Sequence, residues 1–130
     1  MISTKVFFQH LLKLVPDLQP VYKEHISDYN QLLPHVFMAD VTRLILDLAS
    51  RVKVNDPESE RTLSVILAEM ERGIEEGNDE LKNVIGVSFL ENLERNDSHY
   101  DLIKSWLGVR LREDLQKIEN FYARSNHNSY

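Results

Sequence analysis

The sequence predicts an all-α domain, a single-domain irregular helical bundle of about six to seven helices around a buried central helix over residues 34–54. Apolar residues recur at helical spacing along most of the chain. Only four glycines and four prolines occur in 130 residues, too few for the turns of a β-sandwich. This length supports one hydrophobic core, so we expect one helical domain over residues 1–124 and a frayed C-terminal tail over 125–130.

The segment 34–54 is apolar around almost its whole helical circumference. Seven of its residues recur at helical spacing: Val36, Phe37, Val41, Leu44, Ile45, Leu48 and Val52. Three more widen this stripe: Met38, Leu46 and Ala49. The remaining polar seam contains Asp40, Arg43, Asp47 and Arg51, which form i,i+3 and i,i+4 charge pairs. We therefore expect neighbouring helices to cover this segment.

Two helices are predicted before the central one. The first spans residues 4–15 with Ser3 as its N-cap and ends at Pro16. Its inward side is expected to hold Phe7, Phe8, Leu11, Leu12, Leu14 and Val15. The second begins near Pro20, which suits the first turn of a helix, and runs to about Tyr29.

Four helices are predicted after the central one. The first starts with Asp56 as N-cap and Pro57 at its first position, extends to residue 76, and ends at Gly77. The next runs over residues 80–93 and is apolar enough to be a second buried helix. Two further segments, separated by Gly108, complete the bundle and carry seams that include these residues: Tyr100, Ile103, Trp106, Leu107, Leu111, Leu115, Ile118 and Tyr122.

Composition narrows the classes of function. The chain has no cysteine, which excludes disulfides, thiol catalysis and zinc–thiolate sites. The N-terminal stretch lacks the pattern of a secretory signal, and no apolar run reaches transmembrane length, so we expect a cytoplasmic location and no membrane partner. The net charge is −6, and the segment 56–80 alone holds nine acids and two arginines, a net −7 that leaves +1 elsewhere. Such local acidity disfavours direct nucleic-acid binding.

No catalytic, metal or cofactor motif is present. The five histidines, at positions 10, 25, 35, 99 and 127, do not form the HExxH pattern. The segment 75–80, EEGNDE, lacks the alternating ligands of a calcium loop and is interpreted as a turn between helices. Asp97–Ser98 is similar to the phosphopantetheine attachment site of carrier proteins, but His99 follows, and both residues are ordinary N-caps. We expect no enzymatic activity, metal or cofactor.

An acidic run is the surface feature that suggests a function. It consists of Glu69, Glu71, Glu75, Glu76, Asp79 and Glu80. One interpretation is a solvated helix face that maintains solubility. The other is a binding surface for a basic partner, because clustered charge steers association.

Three segments resemble those of a family of small bacterial helical proteins. They are LLPHVFMADVTRLI at 32–45, NVIGVSFLENL at 83–93 and IKSWLG at 103–108. Members of that family look like immunity proteins of polymorphic-toxin and contact-dependent growth inhibition systems. The resemblance covers roughly residues 22–111, and no catalytic residue is carried over.

The resemblance implies a protein that binds and neutralises a cognate toxin domain with a basic surface, which fits the cytoplasmic location expected from the residues. A nuclease fits this role, since its substrate groove is basic. The alternative is a helical adaptor or regulatory protein-binding module without catalytic activity. The sequence does not fix the oligomeric state, and a monomer is the default expectation.

Overall fold

A computed structural model of the chain describes the backbone of residues 1–128 and the side chains of residues 1–125. The helices are α1 (Thr4–Leu14), α2 (Leu18–Tyr29), α3 (Pro34–Val52), α4 (Pro57–Glu76), α5 (Asp79–Ile85), α6 (Tyr100–Trp106) and α7 (Val109–Asn128), with a π-helical turn (Gly86–Leu90) directly after α5. No strand occurs over residues 1–128, so the predicted all-α bundle is confirmed. Within this range, no helix is both long and apolar enough to cross a membrane.

Helix α3 is the central helix, as predicted. It packs chiefly on α4 and the π-helical turn, with further contacts to α2 and α5. Its buried residues are Phe37, Met38, Val41, Thr42, Ile45, Leu48 and Ala49. One buried cluster includes residues from all seven α-helices.

The enclosure of α3 is less complete than the sequence predicts. Val36 is exposed, and Leu44 and Leu46 are only half-buried. The expectation that these residues lie fully inside is wrong, because the neighbouring helices leave one face of α3 open. On this face Arg43 pairs with Asp40, and the predicted pair of Arg51 with Asp47 is also present.

Helices α1 and α4 start at the predicted caps. The Ser3 hydroxyl accepts a hydrogen bond from the Val6 N–H at 3.2 Å, and the Asp56 carboxylate accepts one from the Glu58 N–H at 3.2 Å. Helix α2, however, begins two residues before the expected Pro20, which still lies in the first turn, where a missing N–H costs nothing. Leu14, expected to face inward, is the last residue of α1 and is 45% exposed.

The second buried helix changes its winding in the middle. The sequence predicts one α-helix over 80–93, but the α-helical part ends at Ile85 and the π-helical turn ends at Leu90. The Ser88 carbonyl, in the middle of this turn, accepts hydrogen bonds from the Thr42 hydroxyl at 3.0 Å and the Asn92 side-chain amide at 2.8 Å. These side-chain donors satisfy a carbonyl that has no backbone partner, which stabilises the wider turn.

The C-terminal helices divide at Gly108, as predicted. Helix α7 continues to Asn128, four residues beyond the predicted end at 124, because no glycine or proline follows position 108 to stop it. Positions 129 and 130 lie outside the described residues, and the fraying of 125–130 stays a prediction. Glu119 of α7 accepts hydrogen bonds from the Tyr100 hydroxyl and, at 2.9 Å, from Lys104, which ties α6 to α7.

Candidate protein-binding site

Four of the six predicted site residues lie together where α4 meets α5. Glu75 and Glu76 are in the last turn of α4, and Asp79 and Glu80 are in the first turn of α5. All four side chains are exposed. None of them forms a salt bridge with any residue whose side chain is described. We call these four residues the acidic corner.

The backbone of the acidic corner is held by the N-terminal segment. The Ile2 N–H donates to the Glu76 carbonyl at 2.9 Å, and the Ile2 carbonyl accepts from the Asn78 N–H at 2.8 Å. The Asn78 side chain caps α5 by accepting from the Leu81 N–H at 2.9 Å. Gly77 has no space for a side chain, since a Cβ there would lie 2.4 Å from the Gly73 carbonyl oxygen. The chain therefore turns in one defined way between the two pairs of acids.

Helix stability does not explain why Glu75 and Glu76 are acidic. The C-terminal end of a helix carries partial negative charge, which disfavours carboxylates there. Helix α4 has no basic residue in its last turn to offset them. Asp79 and Glu80, by contrast, sit at the N-terminal end of α5, where the helix dipole favours acids. Half of the acidic corner is thus placed against the electrostatics of its own helix.

Glu69 has a structural role in the fold. Its side chain is only 13% exposed, and one carboxylate oxygen lies 3.0 Å from the Arg72 guanidinium and 3.1 Å from the His10 ring. His10 belongs to α1, so Glu69 links α1 to α4. Its charge already has a neighbouring cation, and it adds little to the exposed surface.

Glu71 caps helix α7 from a distance. Its two carboxylate oxygens accept hydrogen bonds from the Arg110 N–H at 2.9 Å and the Leu111 N–H at 2.8 Å. These are early N–H groups of α7, which have no partner inside the helix. Gly108, directly before α7, has no side chain that can cap it. The Glu71 carboxylate supplies the missing acceptors, so it is committed to the fold.

The Glu71 carboxylate and Gly108 are packed tightly against each other. A Cβ at position 108 would lie 2.4 Å from the Glu71 Cδ atom, so only glycine leaves the carboxylate in place. The same residues line a surface cavity of about 510 Å³, together with Leu67, Ala68 and Trp106. A helix start without a capping side chain is the sequence signal for such a remote acceptor, although it does not say which acid supplies it.

Several other polar groups singled out in the sequence have ordinary structural surroundings. The segment 75–80 is the turn between α4 and α5, as interpreted. Asp97–Ser98 lies in the connection before α6. His35 and Ser88 are hydrogen-bonded at 2.6 Å, and the Ser88 carbonyl belongs to the network of the π-helical turn. Across the described side chains, no group of three or more His, Asp or Glu residues is arranged to hold a metal ion.

Comparison with known proteins gives one family. The model of a domain of unknown function (DUF7674) matches residues 8–123. This range includes the acidic corner, Glu69, Glu71 and the whole of α2 to α6. No curated protein and no solved structure matches the chain significantly.

Proposed function

We propose that this chain, which belongs to the DUF7674 family, is an immunity protein that binds a cognate toxin domain in the cytoplasm and neutralises it. The observation that carries the proposal is the acidic corner, with four exposed carboxylates and no salt bridge among the described side chains. Unpaired charge on a fixed backbone is available to a partner without first breaking an internal contact. The resemblance of the segments 32–45, 83–93 and 103–108 to immunity proteins supports the same role.

The charge of the acidic corner fits a toxin with a basic surface, such as a nuclease. Four carboxylates separated by only two intervening residues imitate the charge density of a phosphate backbone. They attract a cationic groove over about 8–10 Å at physiological ionic strength. This attraction raises the association rate and orients the two proteins, and the bound acids then block entry of the nucleic-acid substrate.

The position of Glu75 and Glu76 supports a binding role. A pair of carboxylates at the C-terminal end of α4 is unfavourable for the helix, because their negative charge lies at the negative end of the helix dipole. Residues that disfavour their own element are typical of functional sites, where stability is given up for activity. The hydrogen bonds of Ile2 across the turn also limit the entropy lost when a partner binds.

A co-expression experiment tests the proposal. The protein encoded by the gene next to that of this chain is expressed in bacteria together with the wild type, with a variant in which all four acids of the corner are changed to Lys, or with a control variant. The control reverses four exposed acids elsewhere: Glu91, Glu94, Asp101 and Glu113. Each reversal adds two charges, so both variants move from the net charge of −6 to +2.

We expect growth to be protected by the wild type and by the control, and to be lost with the corner variant. The corner variant should stay folded, because two opposite effects on the helix dipoles offset each other. Lysines stabilise the C-terminal end of α4 and destabilise the N-terminal end of α5. Melting midpoints of the purified proteins verify this. Full protection by the folded corner variant would refute the acidic corner as the binding site.

The same experiment separates immunity from an adaptor role. An adaptor binds a partner that does not inhibit growth when it is expressed alone. Toxicity of the neighbouring protein on its own, relieved by this chain, is the outcome that the immunity role requires. A harmless partner that still binds through the acidic corner would favour the adaptor.

A further inference from the structure

A second acidic feature lies between α2 and α3. It is a cleft of about 360 Å³ whose polar walls are formed by Glu24, His25, Asp28, Tyr29, Asp40 and Arg43. Two valines complete its walls. The cleft shares no residue with the acidic corner. Its volume suits a single long side chain rather than a folded surface.

The cleft carries an excess of negative charge. Three carboxylates line it, and its one guanidinium, from Arg43, is already paired with Asp40. Glu24 and Asp28 remain, both exposed and without a salt bridge to a described side chain. They are four residues apart on α2, so they face each other on the helix surface and repel. A cation bound between them relieves that repulsion.

His25 supplies a second, independent observation at this cleft. The residue is 2% exposed, and its Nε2 atom accepts a hydrogen bond from the Leu33 N–H at 2.9 Å. The ring proton is therefore on Nδ1, and this buried donor has no hydrogen-bond partner. The ring packs against Tyr29, with centroids 5.0 Å apart, and Tyr29 is 45% exposed. A buried N–H group without an acceptor is rare in proteins.

We propose that this cleft binds an arginine side chain, together with the adjoining peptide carbonyl, from a partner polypeptide. The planar guanidinium donates to the carboxylates of Glu24 and Asp28 and stacks on the Tyr29 ring. The carbonyl oxygen is then the acceptor for the Nδ1–H of His25, a residue that lines the cleft. Arginine fits better than lysine, since its fork of donors reaches two carboxylates at once and its plane stacks on an aromatic ring. This proposal does not depend on the partner being a toxin.

Binding of a single blocked residue tests this proposal directly. The full chain, labelled for NMR, is titrated with N-acetyl-arginine-N-methylamide at constant ionic strength. The same titration with the blocked citrulline derivative is the matched control, because citrulline has nearly the shape of arginine without its charge. We expect saturable shifts of the His25 and Tyr29 rings and of the Leu33 amide with arginine, and affinity about tenfold weaker or worse with citrulline.

Variants locate the binding. Glu24→Gln combined with Asp28→Asn should weaken arginine binding at least fivefold while keeping the fold, since both side chains are exposed. Glu58→Gln combined with Glu60→Gln removes two exposed acids from α4 and should leave arginine binding unchanged. The proposal is overturned if arginine produces no saturable shift at the cleft, if citrulline binds equally well, or if the two double variants behave alike.

Discussion

Replacing Glu71 with alanine should destabilise the fold more than replacing any acid of the corner. The change removes both acceptors of the Arg110 and Leu111 N–H groups at the start of α7. A hydrogen bond to a charged group contributes about 1.5–3 kcal/mol, and solvent around this half-buried carboxylate reduces the sum. We expect a loss of about 2–4 kcal/mol in the free energy of unfolding. This is a large fraction of the roughly 6–20 kcal/mol typical for 130 residues.

Urea denaturation measures this loss with two probes. Far-UV circular dichroism follows all helices, and fluorescence of Trp106, the only tryptophan, reports on the cavity that Glu71 lines. Glu75→Ala is the matched control, because it removes the same side chain one helical turn later, where it is exposed. The control should lie within about 0.5 kcal/mol of the wild type. Equal midpoints for the two variants would refute the capping role of Glu71.

A double-mutant cycle with Gly108 isolates the contact. Gly108→Ala places a Cβ 2.5 Å from one Glu71 carboxylate oxygen and should displace the cap. In the Glu71→Ala background there is no carboxylate to displace, so the same substitution should cost much less. Residues in contact typically show coupling of about 0.5–3 kcal/mol. Strict additivity of the two substitutions would refute a contact between the carboxylate and Gly108.

Two further outcomes are expected. Ile45→Asp should unfold the protein, because it buries an unpaired charge at a fully enclosed position. Leu44→Asp changes a half-buried position and should leave a melting transition that circular dichroism still detects, at a lower midpoint. Similar melting behaviour of the two variants would contradict the orientation of α3. Burial lowers the pKa of His25 below 6.5, although Asp28 opposes this, so the folded state favours the neutral ring. The stabilisation is then complete above pH 6.5 and decreases as the pH falls through the folded-state pKa, and His25→Gln should flatten this part of the stability profile in urea titrations. An unchanged slope between pH 7.5 and 5.5 would assign the effect to other groups.

The sequence predicts helix starts well because their signals are local. The predicted caps Ser3 and Asp56 each accept a hydrogen bond from an N–H group two or three residues away. The π-helical turn was not predictable in this way. Its Ser88 carbonyl is satisfied by Thr42, a residue 46 positions earlier that is adjacent only in the folded protein.

The exposure of the six acids was predicted only in part, for the same reason. Glu71 and Glu75 lie one turn apart on the same side of α4, and local pattern does not distinguish them. The start of α7 covers Glu71 and makes its carboxylate structural, while Glu75 stays exposed. Glu69 is likewise covered through His10, 59 residues earlier in the chain. Periodicity identifies the acidic side of α4, but only the packing of α1 and α7 shows which acids remain free.

The proposal that the acidic corner receives a basic toxin is tested most directly by association kinetics. Stopped-flow mixing with the purified toxin domain gives the association rate constant over a range of salt concentrations for the wild type, the corner variant and the control variant with four reversals elsewhere. We expect a wild-type rate that falls steeply with salt, a similar fall for the control, and a slow rate for the corner variant that does not fall with salt, because its lysines repel a basic surface. Equal rates and equal salt dependence for the wild type and the corner variant would contradict the proposal.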